Sequence, residues 1–295
     1  MPNKKIFITG ATGRIGRHLL KRMETAGCRI YALCRSCSHD HDFAATVIKG
    51  DLLDQDSYAK VFEEGIDAVV HMGAVTYTND SNKYYEVNDR ATRKLVKICE
   101  SNAVKKMVFI STCAASDNSG HYGVSKLMAE TFVRDSKLNW VILRLSEVYG
   151  LSDEKGVYFV LSSLKNTPFI FTIGNGKYLL APVHISDVVE AVAKAAVMDN
   201  IANKAYNIAG PEVLTYNEMV DRVLRIHGLK KTHLHVPVFV ARLSMWAYGR
   251  LSASQGFFVS DQLPRLFSKK DYDISDASRD FGYSPSRIEK HLSWQ

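Results

Sequence analysis

Seven residues near the start of the chain, Gly10-Ala11-Thr12-Gly13-Arg14-Ile15-Gly16, limit its architecture more than any other stretch. The run before them, Ile6-Phe7-Ile8, is apolar, β-branched and aromatic, as a strand buried on both faces requires. An amphipathic helical pattern follows, carrying Leu19, Leu20 and Met23. A strand that turns through glycines straight into a helix brings backbone N–H groups and a helix N-terminus to one point, where a pyrophosphate can bind. Gly10 would permit the tight turn, Gly13 the close approach of the phosphates, and Gly16 the packing of helix on strand. The spacing is GxxGxxG rather than the general GxGxxG. An ordinary strand–helix turn also uses glycine, but its place at the head of an alternating β/α chain favours dinucleotide binding.

A chain of 295 residues, 46% hydrophobic, can bury a full core as one large α/β domain or as a domain with an added lobe. Its net charge of +7 is spread along the sequence without a block of like charges, so nucleic acid is not implied. An anionic ligand such as a phosphorylated cofactor suits that balance, as does a simple basic surface. The best candidate for a membrane span, Val236–Tyr248, is interrupted by Arg242 and falls short of the roughly 18 apolar residues needed. No signal-peptide pattern opens the chain. A cytoplasmic protein with neither membrane nor nucleic-acid partners is expected. The cysteines (Cys28, Cys34, Cys37, Cys99, Cys113) do not suggest a disulfide framework. Cys34, Cys37, His39 and His41 cluster, but without the long spacer between ligand pairs of zinc folds, so a loop and no metal are expected.

Strand and helix patterns continue to alternate. Strands are predicted at Arg29–Cys34, Val47-Ile48, Ala68–His71, Met107–Ile110, Trp140–Leu145 and Ala205–Ile208, and helices at 87–101, 186–198, 216–226 and 238–251. The last helix and the Phe257-Phe258-Val259 run are apolar and aromatic, as core or as a lid over a hydrophobic substrate; core is favoured. Beyond the second strand, where an NAD enzyme carries an acid for the ribose 2′-OH, stands Arg35. A guanidinium pairs well with a 2′-phosphate, so NADP(H) is preferred, with NAD(H) the alternative. Asp51, after the third strand, could accept from an adenine amino group or cap the next helix. Met72-Gly73-Ala74 are compact enough for backbone to approach a flat ligand. Ser111 and Thr112 lie at the carboxyl end of the fifth strand, on the edge that faces the ligand crevice in open α/β sheets. Tyr122 and Lys126 stand four apart at the start of a helix and share its face. Using a free tyrosine as a base at neutral pH costs about 4 kcal/mol, which a nearby ammonium would reduce.

The ordered set resembles the extended short-chain dehydrogenase/reductases, the NAD-dependent epimerase/dehydratase family. The matching pieces are GATGRIG, GDL at 50–52, VVHMGA at 69–74, Asn88 with Thr92, FIST at 109–112 and YGVSK at 122–126. LRLSEVYG at 143–150, VHISDV at 183–188 and YNIAG at 206–210 complete it. The resemblance implies a Rossmann-type doubly wound parallel sheet with a smaller C-terminal substrate lobe. The nucleotide-binding domain would span 1–150, with 181–210 returning to it, and the lobe 151–180 and 211–295. It further implies Tyr122 as acid/base, Lys126 on the nicotinamide ribose, and Thr112, or else Ser111, on the substrate oxygen. Gly10, Thr12, Gly13, Arg14, Ile15 and Gly16 would hold the pyrophosphate, and Asp51 and Leu52 the adenine. Met72, Gly73, Ala74, Asn88, Leu145 and Val148 would lie on the nicotinamide side.

Departures from the family pattern narrow the substrate. Leu180 stands where sugar-nucleotide members carry an arginine for diphosphate, and Cys113-Ala114 where the 4,6-dehydratases carry Asp-Glu. Cys113 fits the position of a thiol base used by some epimerases, but no histidine appears soon after Gly150 to partner it. Oxidation or reduction of a small, fairly apolar alcohol or ketone is therefore expected. A nucleotide-sugar epimerase or dehydratase is the runner-up, and a non-catalytic dinucleotide sensor is the reading from another class. The resemblance also implies a homodimer built on the helices at 87–101 and 122–135.

Overall fold

The computed structural model describes residues 4–36, 45–150, 168–251 and 261–291, with side chains omitted for 245–251. The chain opens with β1 (Lys5–Thr9), α1 (Arg14–Thr25), β2 (Arg29–Cys34) and β3 (Ala45–Lys49). It continues through α2 (Asp56–Ala59), a 3-10 turn (Lys60–Glu64), β4 (Ala68–His71), α3 (Ser81–Tyr84), a π-helical segment (Tyr85–Arg90) and α4 (Ala91–Ser101). Then come β5 (Lys106–Thr112), α5 (Gly120–Arg134), β6 (Asn139–Leu145) and β7 (Val148–Tyr149). After β8 (Phe169–Ile173), β9 (Leu179–Leu180) and β10 (Val183–His184) follow α6 (Ile185–Val197) and β11 (Lys204–Ile208). The rest comprises β12 (Leu214–Thr215), α7 (Tyr216–Ile226), β13 (Thr232–Val236), α8 (Val238–Leu251), α9 (Gln262–Phe267) and α10 (Ser275–Phe281).

Seven parallel strands form the main sheet in the order β3-β2-β1-β4-β5-β6-β11. The order reverses between β1 and β4, which opens a crevice at their carboxyl ends. Successive side chains of a strand point to opposite faces. Ile6 and Ile8 accordingly join α1 (Leu19, Leu20, Met23) and α6 (Val188, Val192) on one face. Phe7 joins Tyr58, Phe62, Leu95 and Val133 on the other. The continuous Ile-Phe-Ile run is thus buried on both sides, as a doubly wound sheet demands.

The lobe has its own core of Tyr149, Ile170, Leu180, Met219, Val220 and Val223. Its parallel β8–β13 pair has no counterpart among the strands predicted from sequence. The C-terminal segment is divided: Ala277, Phe281 and Tyr283 pack with the sheet, and Tyr206 Oη donates to Asp280 at 3.0 Å. Three local expectations change. The helix predicted at 87–101 is π-helical up to Arg90. Asp51 does not cap a helix: its carboxylate accepts from Leu53 N–H at 2.9 Å, and α2 starts after Gln55. In α8, favoured as core, Phe239 and Leu243 are 70% and 62% exposed. Residues 257–259 and the Cys37, His39 and His41 positions lie outside the described residues, and Cys34 is disulfide-bonded.

Gly16 marks how tightly the glycine turn is built. A Cβ there would stand 2.3 Å from Gly10 O and 2.4 Å from Ala11 O, so the crowding comes from the turn itself rather than from the strand. Gly16→Ala is expected to cost about 1–3 kcal/mol by overpacking, read as a lower midpoint in thermal melting followed by circular dichroism. A wild-type midpoint would overturn this account of Gly16.

Candidate active site

Gly10 has φ of +72°, a conformation open to glycine, and a Cβ on it would lie 2.7 Å from Met72 C and 2.8 Å from Gly73 N. The turn after β1 therefore rests directly on the loop after β4, and only glycine allows it. Gly13 is the N-cap of α1 and supplies no side-chain cap, which leaves the first N–H groups of Arg14, Ile15 and Gly16 facing the crevice edge. Thr12 is exposed beside them. A glycine cradle and an uncapped helix N-terminus at the switch point fit a dinucleotide pyrophosphate.

A directional chain of buried hydrogen bonds runs under this crevice. Gly73 N–H donates to Thr9 Oγ1 at 3.1 Å, and Thr9 Oγ1 bonds His71 Nδ1 at 2.6 Å. His71 Nε2 bonds Thr92 Oγ1 at 2.8 Å, and Thr92 donates to Asn88 O at 2.7 Å. Because Thr92 spends its proton on Asn88, His71 must donate from Nε2 and accept at Nδ1. Burial, with the Lys126 charge second, holds His71 down at about 3, so it stays neutral. Asn88 sits in the π-helical segment. Its Oδ1 accepts from Val75 N–H at 2.8 Å, and its Nδ2 donates to Val75 O and to Ser125 Oγ at 3.0 and 3.1 Å. The loop at 72–75 is thereby pinned to β1, to the π segment and to α5.

α5 carries the Tyr-Gly-Val-Ser-Lys segment, and nearly every residue of it has a separate task. Ser125 donates to Tyr122 O and receives Asn88. A Cβ on Gly123 would collide with Ser119 Oγ at 1.7 Å and Ala114 O at 2.4 Å, so this glycine seats the helix on the loop that follows Thr112. Lys126 is buried. Its Nζ donates to Ile110 O at 2.7 Å and lies 4.0 Å from the Phe109 ring centroid, and burial lowers it to about 7. One turn on, buried Glu130 takes a two-pronged bond from Arg144, with Nε to Oε1 at 3.0 Å, which fixes α5 on β6.

Tyr122 is half-buried, with Tyr84 edge-on at 6.1 Å between ring centroids. The cation on its ring is not Lys126. Arg265, in α9, lays its guanidinium carbon 3.9 Å from the ring centroid. Burial pushes the phenol above its ordinary range, and the Arg265 charge acts the other way. Thr112 Oγ1, partly exposed at the end of β5, accepts from Ala114 N–H at 3.2 Å, whereas Ser111 Oγ is buried with no partner among the described residues. Burial, then Glu147, pushes the Cys113 thiol up to about 12, and its Sγ donates to Arg144 O. It is a protonated packing group at neutral pH rather than a ready base. Glu147 ties the end of β6 to the lobe by accepting from buried Lys270 at 3.1 Å and from Tyr272 at 3.3 Å.

The remaining residues expected on the cofactor side flank this crevice. Arg35 is exposed just past β2. Leu52 is buried against Gly73, Leu145 closes the end of β6, and Val148 is partly exposed in β7. Sequence reasoning missed Arg265 and Asp261, since neither their helix nor any local spacing pointed to a partner about 140 residues away. His71 was legible only as part of a motif; its neutral, proton-ordering place was not.

This fold, turn and helix define an NAD(P)-linked α/β enzyme of the Rossmann type. A sequence model of the NAD dependent epimerase/dehydratase family matches residues 6–209, and the chain belongs to that family. It is 24% identical to the sterol-4-alpha-carboxylate 3-dehydrogenase, decarboxylating, of Dictyostelium discoideum, over 92% of this chain and 93% of that protein. It is 25% identical to the 2-alkyl-3-oxoalkanoate reductase of Shewanella oneidensis, over 94% of this chain and 81% of the relative. The NAD-bound dTDP-glucose 4,6-dehydratase of Streptomyces venezuelae shares the fold, with a TM-score of 0.76 at 19% identity, over 98% of this chain and 94% of that one. Among the described residues no helix is long and apolar enough to cross a membrane.

His71 gives the fold a pH dependence of known sign. Its ordinary value is 6.5 and its folded value about 3, so unfolding takes up a proton between them. The stability it contributes is complete above pH 6.5 and is lost as pH falls toward 3. His71→Gln is expected to lower stability at pH 7 and to flatten its decline between pH 6.5 and 4, measured by urea unfolding across that range. An unchanged slope would show that His71 is not the group held neutral.

Proposed function

We propose that the chain is an NADP(H)-preferring oxidoreductase that interconverts a carbinol and a ketone on a small, fairly apolar substrate, with Tyr122 as the proton carrier. The observation that supports this reading is buried Lys126, one turn after Tyr122 on α5, whose Nζ bonds Ile110 O two residues before Thr112 on β5. A nicotinamide dinucleotide, when bound, accepts or donates hydride at C4 of its ring. The chain's residues do the rest. In reduction Tyr122 gives its hydroxyl proton to the substrate oxygen, and in oxidation its phenolate takes that proton back. Thr112 would hold the substrate oxygen in line, with Ser111 behind it. Lys126 would hold the nicotinamide ribose, and its value near 7 makes its charge responsive to what binds beside it.

Gly10, Thr12, Gly13, Arg14, Ile15 and Gly16 would hold the pyrophosphate. Asp51 and Leu52 would hold the adenine, and Met72, Gly73, Ala74, Asn88, Leu145 and Val148 the nicotinamide side. Arg35 stands where a 2′-phosphate would need a cation. Two relatives support the substrate class: one is named as a 3-dehydrogenase of a sterol carboxylate, the other as a reductase of 3-oxoalkanoates. Nucleotide-sugar epimerisation is the second reading, supported by the epimerase among the relatives. Leu180 in place of a diphosphate arginine and the protonated Cys113 weigh against it. A cytoplasmic homodimer formed on α4 and α5 belongs to the same proposal.

Tyr122→Phe is expected to lower turnover of ketones with NADPH by at least a hundredfold while cofactor affinity, followed by fluorescence quenching, stays within a few-fold. A variant that keeps its activity would remove Tyr122 from the chemistry. Arg35→Asp is expected to shift the ratio of kcat/KM for NADPH over NADH toward NADH by tenfold or more, because it exchanges a phosphate partner for a ribose acceptor. An unmoved ratio would defeat the part assigned to Arg35.

A further inference from the structure

The charged side chain nearest the proposed proton carrier comes from far along the sequence. Asp261, at the start of α9, is buried, and its carboxylate accepts from the backbone N–H groups of His121 at 2.5 Å and Tyr122 at 3.2 Å. It thus caps α5, where no local side chain does so: Ser119, the N-cap residue, turns its hydroxyl to Ala114 O and Ser116 O. An anion at a helix N-terminus is favoured by the helix dipole. The seat is shaped for it. Gly120 has φ of +78°, and a Cβ there would meet Asp261 Oδ1 at 2.4 Å.

One turn later in α9, Arg265 Nη2 bonds Asp261 Oδ2 at 3.3 Å and donates to Thr76 O at 3.1 Å. Held by these two bonds from one nitrogen, the guanidinium brings Cζ to 3.9 Å from the Tyr122 ring centroid and 5.6 Å from that of Tyr77. Its Nε is buried with no partner among the described residues, so the geometry is set by the ring and the two anchors rather than by full hydrogen bonding. The groups around the phenol are Arg265 and Asp261 from α9, Tyr77 from the loop after β4, Tyr84 from α3, and Lys126 on α5 itself. Of the cations, Lys126 is turned onto Ile110 O and the Phe109 ring.

We infer that Arg265 is a positioning residue of the active site, which fixes the Tyr122 ring from the lobe side and stabilises the phenolate whenever Tyr122 has given up its proton. The inference rests on Tyr122 as proton carrier. It adds a second source of positive charge, and it makes the site complete only when α9 is docked on α5. An opposite charge within about 4–6 Å commonly moves an acid by one unit or more.

The test compares wild type with Arg265→Lys, Arg265→Met and Tyr122→Phe, using protein labelled with 13Cζ-tyrosine and NADP+-linked alcohol oxidation. In cofactor-free protein the resonance missing from Tyr122→Phe identifies Tyr122. Its titration midpoint is expected to rise by about one unit in Arg265→Met and to stay near wild type in Arg265→Lys. The acid limb of kcat/KM for oxidation should rise in parallel, so activity below that limb falls about tenfold in Arg265→Met, while activity well above it falls much less. An equal loss at every pH with an unmoved 13C titration would make Arg265 a packing residue only and overturn the inference. Should Arg265→Met not fold, Arg265→Gln, which can still donate to Thr76 O, makes the same comparison. Full activity in Tyr122→Phe would sink the underlying reading instead, whatever the Arg265 variants do.

Discussion

The contact on which the rest depends is backbone against backbone: the Gly10 turn lying on Met72 and Gly73. It allows no side chain at residue 10, and it brings the carboxyl ends of β1 and β4 close enough for Thr9 to reach His71. From there the chain of hydrogen bonds runs to Thr92 and Asn88, and Asn88 divides its amide between Val75 and Ser125. A buried polar network is stabilising only when every member is satisfied. Here each donor finds an acceptor in one direction, which makes the crevice floor rigid and gives α5 a fixed height above the sheet.

α5 is held from three sides, and the sides differ in chemistry. Buried Glu130, paired with partly exposed Arg144, locks its middle to β6. Gly123 seats its first turn on the loop after Thr112, and Asp261 closes its N-terminus from the lobe. A buried ion pair costs desolvation, so its use here is better read as fixing orientation than as adding stability. Orientation is what the proposed proton carrier would need, since a displacement of about an ångström in a reacting group can cost a hundredfold in rate.

Much of this was legible from residues alone because it is local. β1, the glycine turn and α1 follow from a single apolar run and three glycines, and Tyr122 and Lys126 share a helix face by spacing. What spacing could not convey is which partner a side chain takes when several are within reach. Lys126 faces the same side as Tyr122, yet burial sends its ammonium to the Ile110 carbonyl and the Phe109 ring. Asp51 looks like a helix cap but closes its own two-residue turn. The π-helical segment at Tyr85–Arg90 keeps the apolar period of a helix while shifting Asn88 toward Val75, a change of hydrogen-bond register that the apolar pattern does not encode. α9 is six residues long, with a proline inside it, and its importance lies in two contacts with α5 that no short-range signal announces.

The division of charge between Lys126 and Arg265 follows from burial. An ammonium taken out of water loses more than a guanidinium, which spreads its charge and is more weakly hydrated. Lys126, enclosed and lowered by burial to about 7, is thus poorly suited to supply a constant charge. A guanidinium stays charged in proteins, and that of Arg265 rests over the Tyr122 ring while its Nη2 is bonded to Asp261 and Thr76. On the proposed reading, Tyr122 is therefore served by a constant charge from α9 and a variable one from its own helix, α5. Because that constant charge arrives on α9, the proposed chemistry depends on a segment about 140 residues beyond Tyr122 in the chain as well as on α5 itself.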